Sequence, residues 1–184
     1  MSNLVFKITS IPELITASHE MAKEKGWWDH EKNGETRPWA EQHNNFYGEV
    51  SEAWEEYRAG RMDIWYAPEI IEHQKPEGFW VEVADLLIRM ADTLGRYKVV
   101  TLLLDDDRGN FLDDVSFVAS LYRELGKIAD GPNGDFLYML DVCGCVFSDC
   151  FNYAKKSGVD LYHVISLKMA FNQTRSRRHG GKKA

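Results

Sequence analysis

Apolar residues recur at steps of three and four along most of this chain, and glycines and prolines interrupt them so as to outline about five or six helices. Ser10 and Glu13 have the spacing of a capping box and open a first helix over Ile11–Lys25, closed by Gly26. Pro38 suits a helix start, and the next pattern runs from Trp39 through Tyr57 to a stop at Gly60. The segment from Arg61 to Lys75 has no steady period and reads as a loop or short helical turn, leading into Lys75-Pro76-Glu77-Gly78. A strongly apolar helix follows from Phe79 to near Gly95.

Val99–Leu104 fits either a short strand or a helix end, and Asp105-Asp106-Asp107 a solvated turn. Asp113 or Asp114 caps a helix over Val115–Ala129, and Gly131-Pro132-Asn133-Gly134 breaks the chain. Phe136–Lys156 is apolar on nearly every side, ends at Gly158, and is followed by a last helix from Leu161 to about Arg175. The expected fold is an all-α helical bundle in one domain over residues 1–184. The second half weakly echoes the first. Matching Gly134 to Gly78 puts Asp141 where Asp85 falls and Tyr138 where Glu82 falls, as in a degenerate repeat of a two-helix unit that has lost its acidic face.

Composition narrows the classes. With 184 residues, 44% of them hydrophobic, the chain can bury a sizeable core. A net charge of -7 argues against a general nucleic-acid binder, and no stable nucleic-acid partner is expected. The basic residues Arg175, Arg177, Arg178, Lys182 and Lys183 crowd the end of the chain, where residues 176–184 form a tail that is solvated or reaches a phosphate. No apolar run approaches a membrane span, no secretory signal is visible at the start, and a cytoplasmic setting is expected. Cys143, Cys145 and Cys150 fall in one apolar segment with no second cluster to complete a zinc site, so they read as buried free thiols.

The chemistry concentrates between Phe46 and Asp92. Glu49/Glu52 and Glu82/Asp85 are each spaced i, i+3, which aims both members of a pair at one point. Converging carboxylates repel one another unless a cation neutralises them, and carboxylate oxygen suits magnesium or manganese. Glu82 and Asp85 are the more telling pair, because their helix, which also carries Arg89 and Asp92, is too apolar to be an ordinary wet face. Of the adjacent Trp27 and Trp28, one can enter the core while the other faces a pocket or a nucleobase, with Phe46 and Trp39 as further aromatic candidates. Lys168, Asn172 and Arg175 stand on adjacent turns of the last helix as donors suited to phosphate oxygens.

Several of these pieces together resemble the MazG-type nucleoside triphosphate pyrophosphohydrolases of the all-α NTP pyrophosphatase superfamily. The matching pieces are Gly26-Trp27-Trp28-Asp29, Glu49-x-x-Glu52, Lys75-Pro76-Glu77-Gly78, Glu82-x-x-Asp85, and Lys168-x-x-x-Asn172-x-x-Arg175 followed by His179-Gly180-Gly181-Lys182, in family order. The chain departs from the pattern at Gly48, where the family often has an acid, and at residues 98–157, which intervene before the last helix much as in the dimeric dUTPase branch.

The resemblance implies cleavage of a (deoxy)nucleoside triphosphate between its α- and β-phosphates, giving a monophosphate and pyrophosphate in nucleotide-pool housecleaning. It implies Mg2+, or Mn2+, on Glu49, Glu52, Glu82 and Asp85, with Glu52 as the candidate general base. It further implies Arg89 orienting the carboxylates, Lys168, Asn172 and Arg175 on phosphate, Trp27 or Trp28 on the base, and a homodimer or higher homo-oligomer. Two other readings fit the sequence: a non-catalytic helical module for assembly or regulation, and a phosphoribosyl-ATP pyrophosphohydrolase, which shares the chemistry on a shorter chain.

Overall fold

A computed structural model describes residues 7–29, 31, 34, 37–66, 74–131 and 135–178. The Pro132-Asn133-Gly134 part of the breaker and the His179–Lys182 stretch lie outside the described residues. The chain is predominantly helical: α1 (Ile11–Glu24), α2 (Trp39–Arg58), α3 (Phe79–Arg96), α4 (Asp114–Gly126), α5 (Phe136–Lys156) and α6 (Leu161–Thr174). Between α2 and α3 the expected loop or turn contains a minimal antiparallel ladder of β1 (Trp65–Tyr66) and β2 (Pro76–Glu77), with Trp65 opposite Glu77 and Tyr66 opposite Pro76.

The caps explain where the helices begin. Ser10 accepts from the Glu13 amide at α1, while Glu13 reaches back to Thr9 rather than to Ser10 itself. At α4 Asp113, not Asp114, is the cap, and it exchanges hydrogen bonds with Ser116 in a full capping box. α4 stops at Gly126, short of the expected Ala129, and residues 127–130 continue only as turns. α3 starts directly after Gly78, whose φ of +125° and close approach to the Asp63 carbonyl leave no room for a side chain.

α3 is the central element. Nearly every residue from Phe79 to Leu94 is buried, and the helix packs on α1, α2 and α6 and more lightly on α5. At Gly95 a Cβ would come 2.5 Å from the His19 Cβ, so glycine permits α1 and α3 to close together. α2 also packs on α4, and α4 on α5, so the second half attaches along α2 and the start of α3. An aromatic cluster seals that junction: Phe117 stacks on Tyr153 at 4.7 Å and meets Phe79 and Trp80 at 6.2 and 6.0 Å.

Residues 97–113 are neither the strand nor the helix end expected at Val99–Leu104. They lie along α5, and their polar backbone groups pair with its side chains. The Asp105 amide donates to Ser148 Oγ at 2.8 Å, and Asn152 Nδ2 donates to the carbonyls of Asp105 and Arg108 at 2.9 and 3.1 Å. Arg108 forks onto Asp149 with two 3.0 Å hydrogen bonds, and Glu124 on α4 stands 3.6 Å from the same guanidinium. Asp149 and Glu124 are both buried. The echo in sequence had pointed instead to Asp141, which is exposed. Among the described residues no helix is long and apolar enough to cross a membrane.

Candidate metal centre and adjoining cleft

Glu49 on α2 and Glu82 and Asp85 on α3 converge. Each offers an oxygen within 4.8 Å of the others. The three residues are 4%, 2% and 7% exposed, so the cluster sits out of bulk water where like charges are most costly. Two cations answer it. Lys168 on α6, 1% exposed, places Nζ 3.3 Å from both Glu82 Oε2 and Asp85 Oδ2. Arg89, one helical turn beyond Asp85, brings Nε to 2.5 Å from Glu49 Oε1. That contact is an ion pair rather than a directed hydrogen bond, since the Arg89 Nε–H has no acceptor along its direction.

Three carboxylates against two cations leave an imbalance, and the titration behaviour reflects it. Burial and then the Asp85 charge push the Glu49 carboxyl up to about 8, against the opposing pull of Arg89. Burial pushes Glu82 up to about 7 despite Lys168. Burial acts the same way on Asp85, but Lys168 and Arg89 outweigh it and hold this carboxyl below the usual range. Lys168 is held above its ordinary value: burial opposes its charge, and Asp85 and Glu82 overcome that.

The polar atoms left over indicate what the cluster can accept. Glu49 Oε2 is buried with no hydrogen-bond partner, and so is Asn172 Oδ1, whose amide nitrogen approaches Asp85 Oδ1 at 3.4 Å. An orphaned carboxylate oxygen beside two other hard oxygen donors fits a divalent cation. Glu49, Glu82 and Asp85 could hold such an ion. Glu52 is outside the triad: it is exposed on α2, near enough for its charge to raise the Glu49 carboxyl further. Glu56, on the same stripe of α2 in sequence, is drawn off by Arg61 at 2.6 and 2.8 Å and by Trp65 Nε1 at 2.8 Å, where it anchors the β1 segment.

An open cleft adjoins the triad, with Asp85, Arg89 and Asn172 in its wall. Trp27 and Phe46 line it, whereas Trp28 is buried behind it. Trp28 Nε1 donates to Asp92 Oδ1 at 2.8 Å, and the guanidinium groups of Arg37 and Arg96 lie 5.3 and 5.9 Å from its ring centre. Trp39 is elsewhere, donating from Nε1 to the Ile128 carbonyl at 2.9 Å. Of the α6 donors, Lys168 and Asn172 face the acids, and Arg175 is half-buried at the helix end, its guanidinium held below its ordinary value by burial in spite of Asp85.

The described part of the basic tail is docked. Arg178 Nε donates to the Gly26 carbonyl at 3.0 Å, and Arg177 pairs with Asp29. Lys25 Nζ in turn reaches the carbonyls of Gln173 and Arg175, each at 2.6 Å. The turn after α1 and the end of α6 thereby close on one another beside the cleft.

Sequence reasoning did not pick out Ser18, Gln42, Asn45 or Thr93, which also line the cleft, and it read Asp92 only as part of an acidic face. A signal existed, since Gln42, Asn45, Phe46 and Glu49 follow one another at helical steps on α2, as do Asp85, Arg89, Asp92 and Thr93 on α3. No family model, curated protein or solved structure matches this chain.

Proposed function

We propose that this chain is a divalent-metal-dependent nucleotide pyrophosphohydrolase that cleaves a (deoxy)nucleoside triphosphate to its monophosphate and pyrophosphate. The observation that carries the reading is the Glu49–Glu82–Asp85 triad, with Glu49 Oε2 buried and unpartnered, and with Asp85 reaching the wall of an open cleft. Magnesium or manganese held by these three residues, with Glu52 at the rim, would neutralise phosphate charge and supply an acidic water. The chain's own groups then have distinct tasks. Arg89 fixes the Glu49 carboxylate, and Lys168 and Asn172 hold Glu82 and Asp85 in register. Arg175, close enough to Asp85 to feel its charge, is assigned to phosphate oxygens, and Trp27 in the cleft wall to the base. Glu52, exposed and without an ion pair among the described residues, is the candidate to take a proton from the attacking water.

A second reading has one observation in its favour. Arg89 and Lys168 offset two of the three acidic charges, as they would in a non-catalytic helical module whose acids are only structural. The unpartnered oxygen and the open cleft favour the enzyme. Pyrophosphate release from a panel of nucleoside triphosphates, with Mg2+ and with a chelator, separates the two readings. The enzyme releases pyrophosphate only with metal, and absence of release from every member of the panel would overturn the proposal.

A further inference from the structure

Asp92 lies seven residues after Asp85, two turns on along the same face of α3, and both line the cleft. Seven residues span about 10 Å of helix, comparable to the reach of a nucleoside from its 5′-phosphate to the far edge of its base. Asp92 uses one oxygen for the protein. His19 Nδ1 approaches Oδ1 at 2.9 Å and Trp28 Nε1 donates to the same atom at 2.8 Å, while Oδ2 has no partner among the described residues. Arg37 also lines the cleft and its charge acts on Asp92, but it makes no hydrogen bond to that second oxygen; its Nε donates to Glu41 at 2.8 Å and its guanidinium lies over Trp28. Asp92 is nearly buried at the cleft wall, where burial holds its carboxyl above the ordinary range, and in the ionised form the oxygen that the protein leaves unpaired is a pure acceptor.

The surroundings are also set for a ligand. Ser18 Oγ is buried in the cleft wall without a partner. Gln42 is buried with Oε1 accepting from Thr93 at 3.1 Å, which leaves its amide nitrogen as a donor. Trp27 and Phe46 add aromatic surface to the same cleft.

We infer that Asp92 reads the base, selecting nucleobases that present an exocyclic amino group and disfavouring those that present a carbonyl oxygen at the same place. The inference rests on the nucleotide reading given above. An amino group donates to Asp92 Oδ2, and the ring nitrogen beside it accepts from the Gln42 amide. A carbonyl oxygen there meets the carboxylate, with repulsion and an unmade hydrogen bond in place of a contact. Cytosine and adenine satisfy the arrangement, whereas uracil and hypoxanthine, their keto counterparts, do not.

Asp92→Asn tests this while sparing the network behind it. Asparagine keeps an oxygen for His19 and Trp28 and replaces the cavity-facing acceptor with an NH2 donor. Binding of cytidine, uridine, adenosine and inosine 5′-monophosphates, in ribose and deoxyribose forms, is measured by calorimetry with Mg2+, alongside pyrophosphate release from the matching triphosphates. The wild-type protein should favour each amino base over its keto partner by about tenfold or more, and D92N should abolish or reverse that ratio. If D92N does not fold, the wild-type ratio decides alone. Nucleotides bound without preference, or a ratio unmoved in D92N, overturn the inference and leave the hydrolase reading standing. Selective binding without pyrophosphate release overturns the hydrolase reading alone, and no binding of any nucleotide overturns both.

Discussion

Lys168 Nζ on α6 stands 3.3 Å from Asp85 Oδ2 on α3, with the lysine out of water and the carboxylate nearly so. A buried ammonium is tolerated only because Asp85 and Glu82 face it, and they depend on it in return. Lys168→Met keeps the stem and removes the charge, leaving Glu82 and Asp85 facing Glu49 with Arg89 alone. The expected loss in the metal-free protein is about 3–5 kcal/mol, read by denaturant unfolding. Added Mg2+ should raise the melting temperature of this variant more than that of the wild type.

Glu49→Gln should behave in the opposite way. The Glu49 carboxyl is held up near 8, so the metal-free fold favours its neutral form at neutral pH, and glutamine supplies that form permanently. Its melting temperature without metal should equal or exceed that of the wild type at pH 8. Stabilisation by Mg2+ should be largely lost, and pyrophosphate release should fall by about two orders of magnitude or more.

The pH dependence of the metal-free protein follows from the same carboxyls. Glu49 and Glu82 have folded values raised to about 8 and about 7 from an unfolded value of 4.5. A raised carboxyl contributes stability that is complete below the unfolded value and disappears as pH rises through the folded one. Melting temperature in chelator should therefore decline between about pH 4.5 and pH 8 and then level. Mg2+ binds the ionised forms, so its stabilising effect should grow over the same interval. Calorimetry near pH 7 in buffers of different ionisation enthalpy should show protons released on binding.

Adjacent tryptophans should separate cleanly. Trp28 is buried against Asp92, His19 and two guanidinium groups, so Trp28→Ala should cost about 3–5 kcal/mol of stability. Trp27 lines the cleft, and Trp27→Ala should raise the Michaelis constant with a much smaller change in melting temperature. Steady-state kinetics and thermal unfolding on the two variants check both halves of the expectation.

Much of this arrangement was legible in the sequence because helices carry their own signals. Ser10, Pro38 and Asp113 stand just before three of the six helices, breakers around Gly78, Gly131 and Gly158 precede the other three, and the periodicity from Phe79 to near Gly95 exposed Glu82 and Asp85 as acids on an apolar element. What escaped was set by tertiary partners. Glu56 shares a stripe with Glu49 and Glu52 in sequence, yet Arg61 and Trp65 capture it. Residues 97–113 show no period because their backbone groups pair with Ser148 and Asn152 across the chain. Asp149 is one of two acids in an apolar helix, and only the fold brings Arg108 to it.

The Arg108 fork gives the molecule an internal reference for its own ion chemistry. Both halves bury carboxylates on facing helices, but in the second half the neutralising cation is tethered to the backbone and cannot diffuse away. A chelator should therefore divide the protein by region. Amide hydrogen exchange in α2 and α3 should quicken when divalent ions are removed, while exchange along α5 around Asp149 stays as it was. One experiment would thus report the proposed site and its control in the same polypeptide.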